Sequence, residues 1–407
     1  MFDVNKVRKD FSILNKADQK LIYLDSGATS LKPQCVIDVV SDYYTNYPAN
    51  IHRGDYDISL KASELYDKAR LNIADFINAS AAETVFTSGA TAALNLVAYQ
   101  FGMKYVIEGD VILTTESEHA SSILPWFLVA KAKKAMIEYI PLTSEGAVSI
   151  TKFKKAMHER VKIVVTTHVS NVVGYISPIK EMASIAHEHG AYIVVDGAQS
   201  VPHMPVDVKE LDVDFLAFSG HKMLGPTGVG ILYGKKVLLN EMDPLFYGGG
   251  SNARFDRCGN LTLKQTPDKF EAGTPAIEGI LGLSAAIDYL KQLGMKNVMR
   301  HEEELRTYLL EKLAKIDNVI VYNPHTEGGI IALNVKDIFS QDTAAYLNHH
   351  HIAVRAGNHC AKILKDVIET TDTIRCSFYI YNTKEEIDEF VSVLQEVTIE
   401  NCVNLII

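Results

Sequence analysis

Lys222 closes the segment Phe218-Ser219-Gly220-His221-Lys222 and is followed by Gly225, Pro226, Thr227 and Gly228. The apolar runs Val213–Phe218 and Val229–Tyr233 flank it, so the lysine falls in a turn at the end of a buried strand. Burial destabilises an ammonium, which turns the lysine amine into a Schiff-base nucleophile, and pyridoxal phosphate is the cofactor that most often uses one. A lone loop lysine is commonly just solvated, so the neighbouring chemistry decides. The apolar run Ala191–Val195 ends in Asp196-Gly197-Ala198-Gln199-Ser200. A carboxylate there either caps a turn or pairs with the pyridinium nitrogen of such a cofactor and keeps its ring able to accept electrons. Five cysteines, Cys35, Cys258, Cys360, Cys376 and Cys402, are odd in number and show no C-x-x-C spacing. Buried, inert thiol is the default for each. Only Cys360 follows a polar, glycine-containing stretch with an arginine and a histidine, Arg355-Ala356-Gly357-Asn358-His359, where a thiolate could be stabilised and reached.

The elements that must carry these residues alternate. Leu21–Leu24 reads as a strand ending in the small-residue turn Asp25–Ser30, and residues 1–20 as an amphipathic helix and arm. Lys61–Ile77 has helical spacing, and Glu83–Thr87 reads as a strand that runs into Ser88-Gly89-Ala90-Thr91 at a helix start. Free amides and the helix dipole there suit an anion, so Gly89, Ala90 and Thr91 form a phosphate cradle. The strand at Asp110–Thr114 leads to His119, whose imidazole suits stacking on a cofactor ring and moving protons, although a capping histidine is the plainer reading. Val161–Thr166 leads to Asn171, near the ring hydroxyl or a substrate carboxylate, and Ser177–His189 is helical. Strands that each end in polar residues, interleaved with helices, predict an α/β fold with a mostly parallel sheet and a site outside its carboxyl ends. From about Ala285 a long helical region leads into a smaller unit that includes Gly329–Val335 and the helix Lys384–Glu396.

The 407 residues suffice for two domains, and 47% apolar content supports an ordinary core. Forty basic against fifty acidic residues, net −10, argue against nucleic acid or an anionic membrane as partner. No stretch matches a spanning helix, and the charged first ten residues do not resemble a signal peptide, so a cytoplasmic location is expected. His349-His350-His351 lacks a cysteine or carboxylate at ligand spacing and reads as a solvated turn, with no metal expected.

Asp196-Gly197-Ala198-Gln199, Ser219-Gly220-His221-Lys222 and Arg355–Cys360, in this order, resemble the class V aminotransferase superfamily. Within it they are similar to the cysteine desulfurases of the selenocysteine-lyase-like, SUF-type group. The resemblance runs from Leu24 to about Asn382. It implies a fold-type I pyridoxal-phosphate transferase with a large cofactor-binding domain at 21–289 and a small domain, 1–20 and 290–407, bearing the cysteine loop. It further implies that Ala90, Thr91, His119, Asn171, Asp196, Gln199, Ser219, His221 and Lys222 hold pyridoxal 5'-phosphate. Thr274 is expected to reach the phosphate of a partner subunit, making a homodimer, and His52 to lie at the pocket mouth. Ala28, Asn171, Arg355 and Arg375 are expected to bind substrate, and Lys222, His119 and Cys360 to act in catalysis. L-cysteine would yield L-alanine and a Cys360 persulfide, whose sulfur passes to an acceptor protein for iron–sulfur cluster assembly. The chain departs from the usual pattern at Ser26 and Gly27, at Asn252 and Arg254, and at Asn358 and Ile363 of the cysteine loop. A selenocysteine lyase would use the same constellation on L-selenocysteine. A transaminase has no use for Cys360, and a non-catalytic scaffold needs none of these residues.

Overall fold

The computed structural model describes residues 2–16 and 20–404. A two-residue strand, β1 (Ile22–Tyr23), comes first. The main sheet is built from β2 (Thr84–Thr87), β3 (Val111–Thr115), β4 (Met136–Ile140), β5 (Val161–Thr167), β6 (Tyr192–Asp196), β7 (Phe215–Ser219) and β8 (Gly230–Gly234). Their spatial order is β2-β8-β7-β6-β5-β3-β4. Neighbours from β7 to β4 run parallel. β8 alone is reversed, pairing antiparallel with both β2 and β7. The mostly parallel α/β sheet expected from the alternation is therefore present.

Apolar continuity in these strands reflects cover on both faces. Along β5, Val161 and Val164 point into one core cluster and Ile163 and Val165 into the other. The first cluster packs the helices Asp57–Phe76, Ile179–Glu188 and Ile277–Leu293, and the second packs Ala90–Leu96 and Ala120–Lys133 around fully buried Trp126. The helix started at Ala90 continues through a π-helical stretch, Val97–Gly102.

An exposed hairpin, β9 (Asn252–Phe255) with β10 (Leu261–Leu263), follows the main sheet. Then β11 (Val319–Val321), β12 (Ile330–Val335), β13 (Ile352–Ala353), β14 (Arg355–Gly357) and β15 (Thr373–Ser377) appear. Four of them form an antiparallel sheet in the order β11-β12-β15-β14, while β13 pairs in parallel with β1. Leu305, Leu309, Ile331, Leu333, Ile374 and Phe390 fill the core of this second unit. The helical stretch expected from about Ala285 is two helices, Ile277–Leu293 and Met295–Leu313, divided at Gly294, whose φ of +79° breaks the helical run. At the N-terminus the amphipathic pattern yields only a short helix, Val4–Arg8, capped by Asp3, and a 3₁₀ turn, Ser12–Asn15. Residues 17–19 of that expected arm lie outside the described residues.

Candidate active site

Register brings the polar strand ends level. Thr167 of β5 pairs with Asp196 of β6, and Asp196 with Ala217 of β7, two residues before Ser219. With His119 following the end of adjacent β3, four consecutive strands deliver side chains to one crevice outside their carboxyl ends. A cavity of about 230 Å³ lies there. Of the site residues expected from sequence, all line it except Gly89, His52 and Thr274. Thr274 sits instead on an exposed segment, its hydroxyl 3.4 Å from Asn50 Nδ2. Exposed His52 and Arg53 border a separate cleft with Gly273 and Pro275.

Lys222 ends a 3₁₀ turn directly after β7. The cavity leaves part of its side chain accessible, but protein surrounds the amine, and burial lowers its pKa to about 8, with the Asp196 carboxylate partly opposing. Asp196 is 5% exposed, and Oδ1 accepts a 2.9 Å bond from the Ala198 amide. That single bond fixes the carboxylate at the strand end while the group still faces the cavity. His119 is the N-cap of the helix Ala120–Lys133, and its Nδ1 accepts from the Ser121 amide at 3.1 Å. The neutral ring therefore carries its proton on Nε2, and burial favours this neutral form by lowering the pKa.

Gly89 precedes the helix at Ala90 with φ +152° and no side-chain cap. The Ala90 amide donates to Ser219 Oγ at 2.8 Å, while Thr91 and Ala92 occupy the first turn, where no helical carbonyl is available to their amides. Thr91 Oγ1 meets Ser121 Oγ at 2.7 Å. This is a hydroxyl-rich, donor-rich end suited to an anion.

Arg375 on β15 is 2% exposed. It donates from Nη2 to Asp25 Oδ1 at 2.8 Å and from Nη1 to the Asn171 carbonyl at 3.0 Å, while Nε has no partner. Burial lowers its pKa and the Asp25 charge opposes that shift. Arg355 lies directly across the ladder from it on β14. Cys360 is exposed at the cavity lip, and both it and His359 have left-handed backbone, φ +61° and +49°. His359 is buried, donates or accepts at Thr373 Oγ1 (2.9 Å), and is kept neutral by burial, its pKa near 3.

The residues present fit pyridoxal phosphate. Gln199 is 3% exposed and gives its amide hydrogen to the Gly27 carbonyl at 2.7 Å, leaving Oε1 buried without a partner beside the cavity. A ring hydroxyl would satisfy it. A buried amine, a carboxylate at the strand end, an imidazole and a helix start surround the same space, the donor set such a group requires.

Sequence reasoning passed over Asp25, Glu118 and Lys32. Glu118 is buried, with its pKa raised by burial to about 7, and accepts from Thr115, Ser122 and the Thr167 amide. It thereby ties the ends of β3 and β5 to the helix bearing His119. The signal available for it was a carboxylate directly before that histidine. Asp25 opens the turn 25–30 and Lys32 follows it, and of that stretch only Ala28 was expected to meet substrate.

The aminotransferase class-V family model matches residues 22–390. A probable cysteine desulfurase of Halalkalibacterium halodurans is 46% identical, over 97% of this chain and 98% of the relative. Among solved structures, the apo cysteine desulfurase of Thermococcus onnurineus superposes with a TM-score of 0.92 at 39% identity, covering 96% of this chain and 97% of that one. The cysteine desulfurase CsdA of Escherichia coli, with an S-sulfonic acid, superposes at 0.91 and 32% identity, covering 100% and 99%.

Proposed function

The chain belongs to the aminotransferase class-V family, and from that premise we propose that it is a pyridoxal-phosphate-dependent cysteine desulfurase, converting L-cysteine to L-alanine with a persulfide on Cys360. One observation carries the reading: the exposed thiol of Cys360 stands at the lip of the cavity that Lys222 and Asp196 line. A transaminase has no use for a thiol there, and relatives of high identity bear the desulfurase name.

Bound pyridoxal phosphate supplies a carbonyl that condenses with amines and a ring that stores an electron pair from the substrate Cα. Lys222 would hold it covalently, and its amine, with a pKa lowered to about 8, suits taking and returning the Cα proton. Asp196 would keep the ring nitrogen protonated, and Gln199 Oε1 would accept from the ring hydroxyl. Ala90, Thr91, Ser219 and His221, which line the cavity, would hold the phosphate. His119 would stack on the ring, its Nε2–H available to the reacting groups. Arg375, through its free Nε and with Arg355 beside it, takes the substrate carboxylate, bordered by Ala28 and Asn171. The Cys360 thiolate then attacks the substrate sulfur. The new S–S bond replaces the C–S bond, whose electron pair leaves with the three-carbon fragment to be protonated as alanine.

The same reading takes 21–289 as the cofactor domain, with 1–20 and 290–407 as the smaller domain. It places Thr274 at a partner subunit's phosphate in a homodimer, consistent with its exposure away from its own cavity. The sulfur leaves to an acceptor protein for iron–sulfur cluster assembly in the cytoplasm, and no helix among the described residues is long and apolar enough to cross a membrane. Incubation with L-cysteine and reductant tests it, measuring alanine and sulfide together. Equal amounts of the two are expected; turnover of L-selenocysteine alone, or a keto acid in place of alanine, would overturn the assignment.

A further inference from the structure

The carbonyl oxygen of His221, one residue before Lys222, is met by four donors. The Ser30 amide lies at 3.0 Å, Thr29 Oγ1 at 3.0 Å, Ser30 Oγ at 3.1 Å and Lys32 Nζ at 2.9 Å. A carbonyl offers two lone pairs, so this oxygen is saturated. Lys32 also donates to the Ser30 carbonyl. The lysine is half-buried, and its pKa falls to about 8 through burial alone, no carboxylate opposing the shift. Beyond Lys222 the same segment acts again: Ser30 Oγ accepts the Leu224 amide at 2.8 Å, and Leu224 is a non-glycine residue at φ +67°. Such a conformation persists only where its surroundings hold it. Residues 29–32 therefore grip the backbone on both sides of Lys222.

We propose that Lys32 is a positioning residue for Lys222: with Thr29 and Ser30 it fixes the His221 carbonyl and the turn through Leu224, so that the Lys222 side chain enters the cavity on one trajectory. The proposal rests on the reading of Lys222 as the lysine that holds the cofactor and moves the Cα proton. Lysine's flexible stem makes such a grip useful. If the peptide before it tilts, the amine at the far end moves by more than the tilt itself, and proton transfer is sensitive to displacement on the ångström scale. A cation suits the position for a second reason. His221 is kept neutral by burial first and then by the charges of Lys222 and Lys32 on either side, so no proton is trapped on the imidazole beside the working amine.

Three variants of the pyridoxal-phosphate-loaded protein test this. Lys32→Met keeps the stem and removes donor and charge, Lys32→Gln restores an uncharged donor, and Thr29→Val removes one of the other bonds to the His221 carbonyl. The readouts are kcat and KM for L-cysteine, taken separately, and the pH midpoint of the bound cofactor's absorbance. For Lys32→Met, kcat should fall roughly tenfold with KM within about twofold, and the absorbance midpoint should move as the Lys222 amine shifts relative to Asp196 and Arg375, the charges that act on it. Lys32→Gln should recover much of kcat and of the wild-type midpoint, and Thr29→Val should lower kcat and move the midpoint in the same direction as Lys32→Met. Wild-type kcat and midpoint in Lys32→Met, or a loss confined to thermal stability, would overturn the proposal. Should Lys32→Met not fold, the kcat values of the other two decide it in the same way. If the wild-type protein binds the cofactor yet makes no alanine from cysteine, the desulfurase reading fails, and the absorbance midpoints still judge Lys32.

Discussion

The carbonyl oxygen of Cys360 accepts a 2.8 Å hydrogen bond from the amide of Ala120. Ala120 opens the helix that His119 caps, so the residue bearing the thiol and the helix whose cap lines the cavity are joined through one backbone contact. On the other side, Asn171 Nδ2 holds the His359 carbonyl at 2.7 Å. The loop's backbone is thus anchored at two consecutive carbonyls while its thiol remains exposed. A helix N-terminus has amides to spare, and this one spends its first on the cysteine loop.

That arrangement separates the thiol's chemistry from the loop's placement. Cys360→Ser leaves both backbone contacts in place, so cofactor absorbance and thermal midpoint should match the wild type. Alanine formation from cysteine should fall by about a hundredfold or more, as expected for loss of a nucleophile, and mass spectrometry should find no added sulfur on the protein. Full activity in this variant would sink the persulfide route.

The ion pair between Asp25 and Arg375 predicts a coupled loss of stability and substrate affinity. Arg375 is nearly fully buried and Asp25 is its one carboxylate partner among the described residues. Asp25→Ala leaves the guanidinium without a counter-charge, and since Asp25 retains some solvent contact the cost should be roughly 2–4 kcal/mol. Urea denaturation reads that number. Freed of its anchor, Arg375 also loses the orientation in which it lines the cavity, so KM for cysteine should rise more than kcat falls.

The lowered pKa of Lys222, about 8, sets the pH dependence of cofactor uptake. Only the neutral amine condenses with a carbonyl. Uptake of pyridoxal phosphate by the cofactor-free protein should therefore accelerate with rising pH and level off above about 8, rather than near the ordinary lysine value. The sign for stability follows from the same shift. Between the folded and unfolded values the unfolded chain binds more protons, so the cofactor-free protein gains stability from this group as pH rises through that window. Stopped-flow absorbance and denaturation at several pH values check the two halves separately.

Much of this was legible in the chain. Val161–Thr166, Ala191–Val195 and Val213–Phe218 are near-continuous apolar runs because β5, β6 and β7 are covered on both faces, and their polar ends carry Asp196 and Lys222 into the site. The parts that stayed hidden are contacts between distant segments with no period to announce them. β1 is two residues long and finds its partner at Ile352 and Ala353, while Asp25 reaches Arg375 and Ala120 reaches Cys360 across most of the sequence. Asn252 and Arg254, departures from the usual pattern, lie on an exposed hairpin that has no buried face to impose alternation. Lys32 gave no signal at all, since a lysine that donates to carbonyls looks in sequence like any solvated one.

Gly230 offers a test of the anion-binding end that leaves every side chain of the site untouched. It opens β8 and pairs with Thr87 and with Ser219, so its Cα faces the turn at Gly89. A Cβ placed there would lie 2.4 Å from Gly89 Cα and 2.6 Å from its carbonyl carbon, both backbone atoms that no rotamer change can move aside. Gly230→Ala must therefore push Gly89 away from the sheet, and with it the first turn of the helix, where Ala90 donates to Ser219 and Thr91 faces the cavity. The direct cost of overpacking should be about 1–3 kcal/mol. The more telling effect is on the cofactor. Lys222 and Asp196 stay in place, so the covalent attachment and its absorbance should survive at saturating pyridoxal phosphate, while affinity for the phosphorylated form weakens about tenfold or more as its anion loses aligned amides. Affinity for pyridoxal, which lacks the phosphate, should change much less. Equal weakening for both would locate the damage in the ring pocket and remove the helix start from its assigned role.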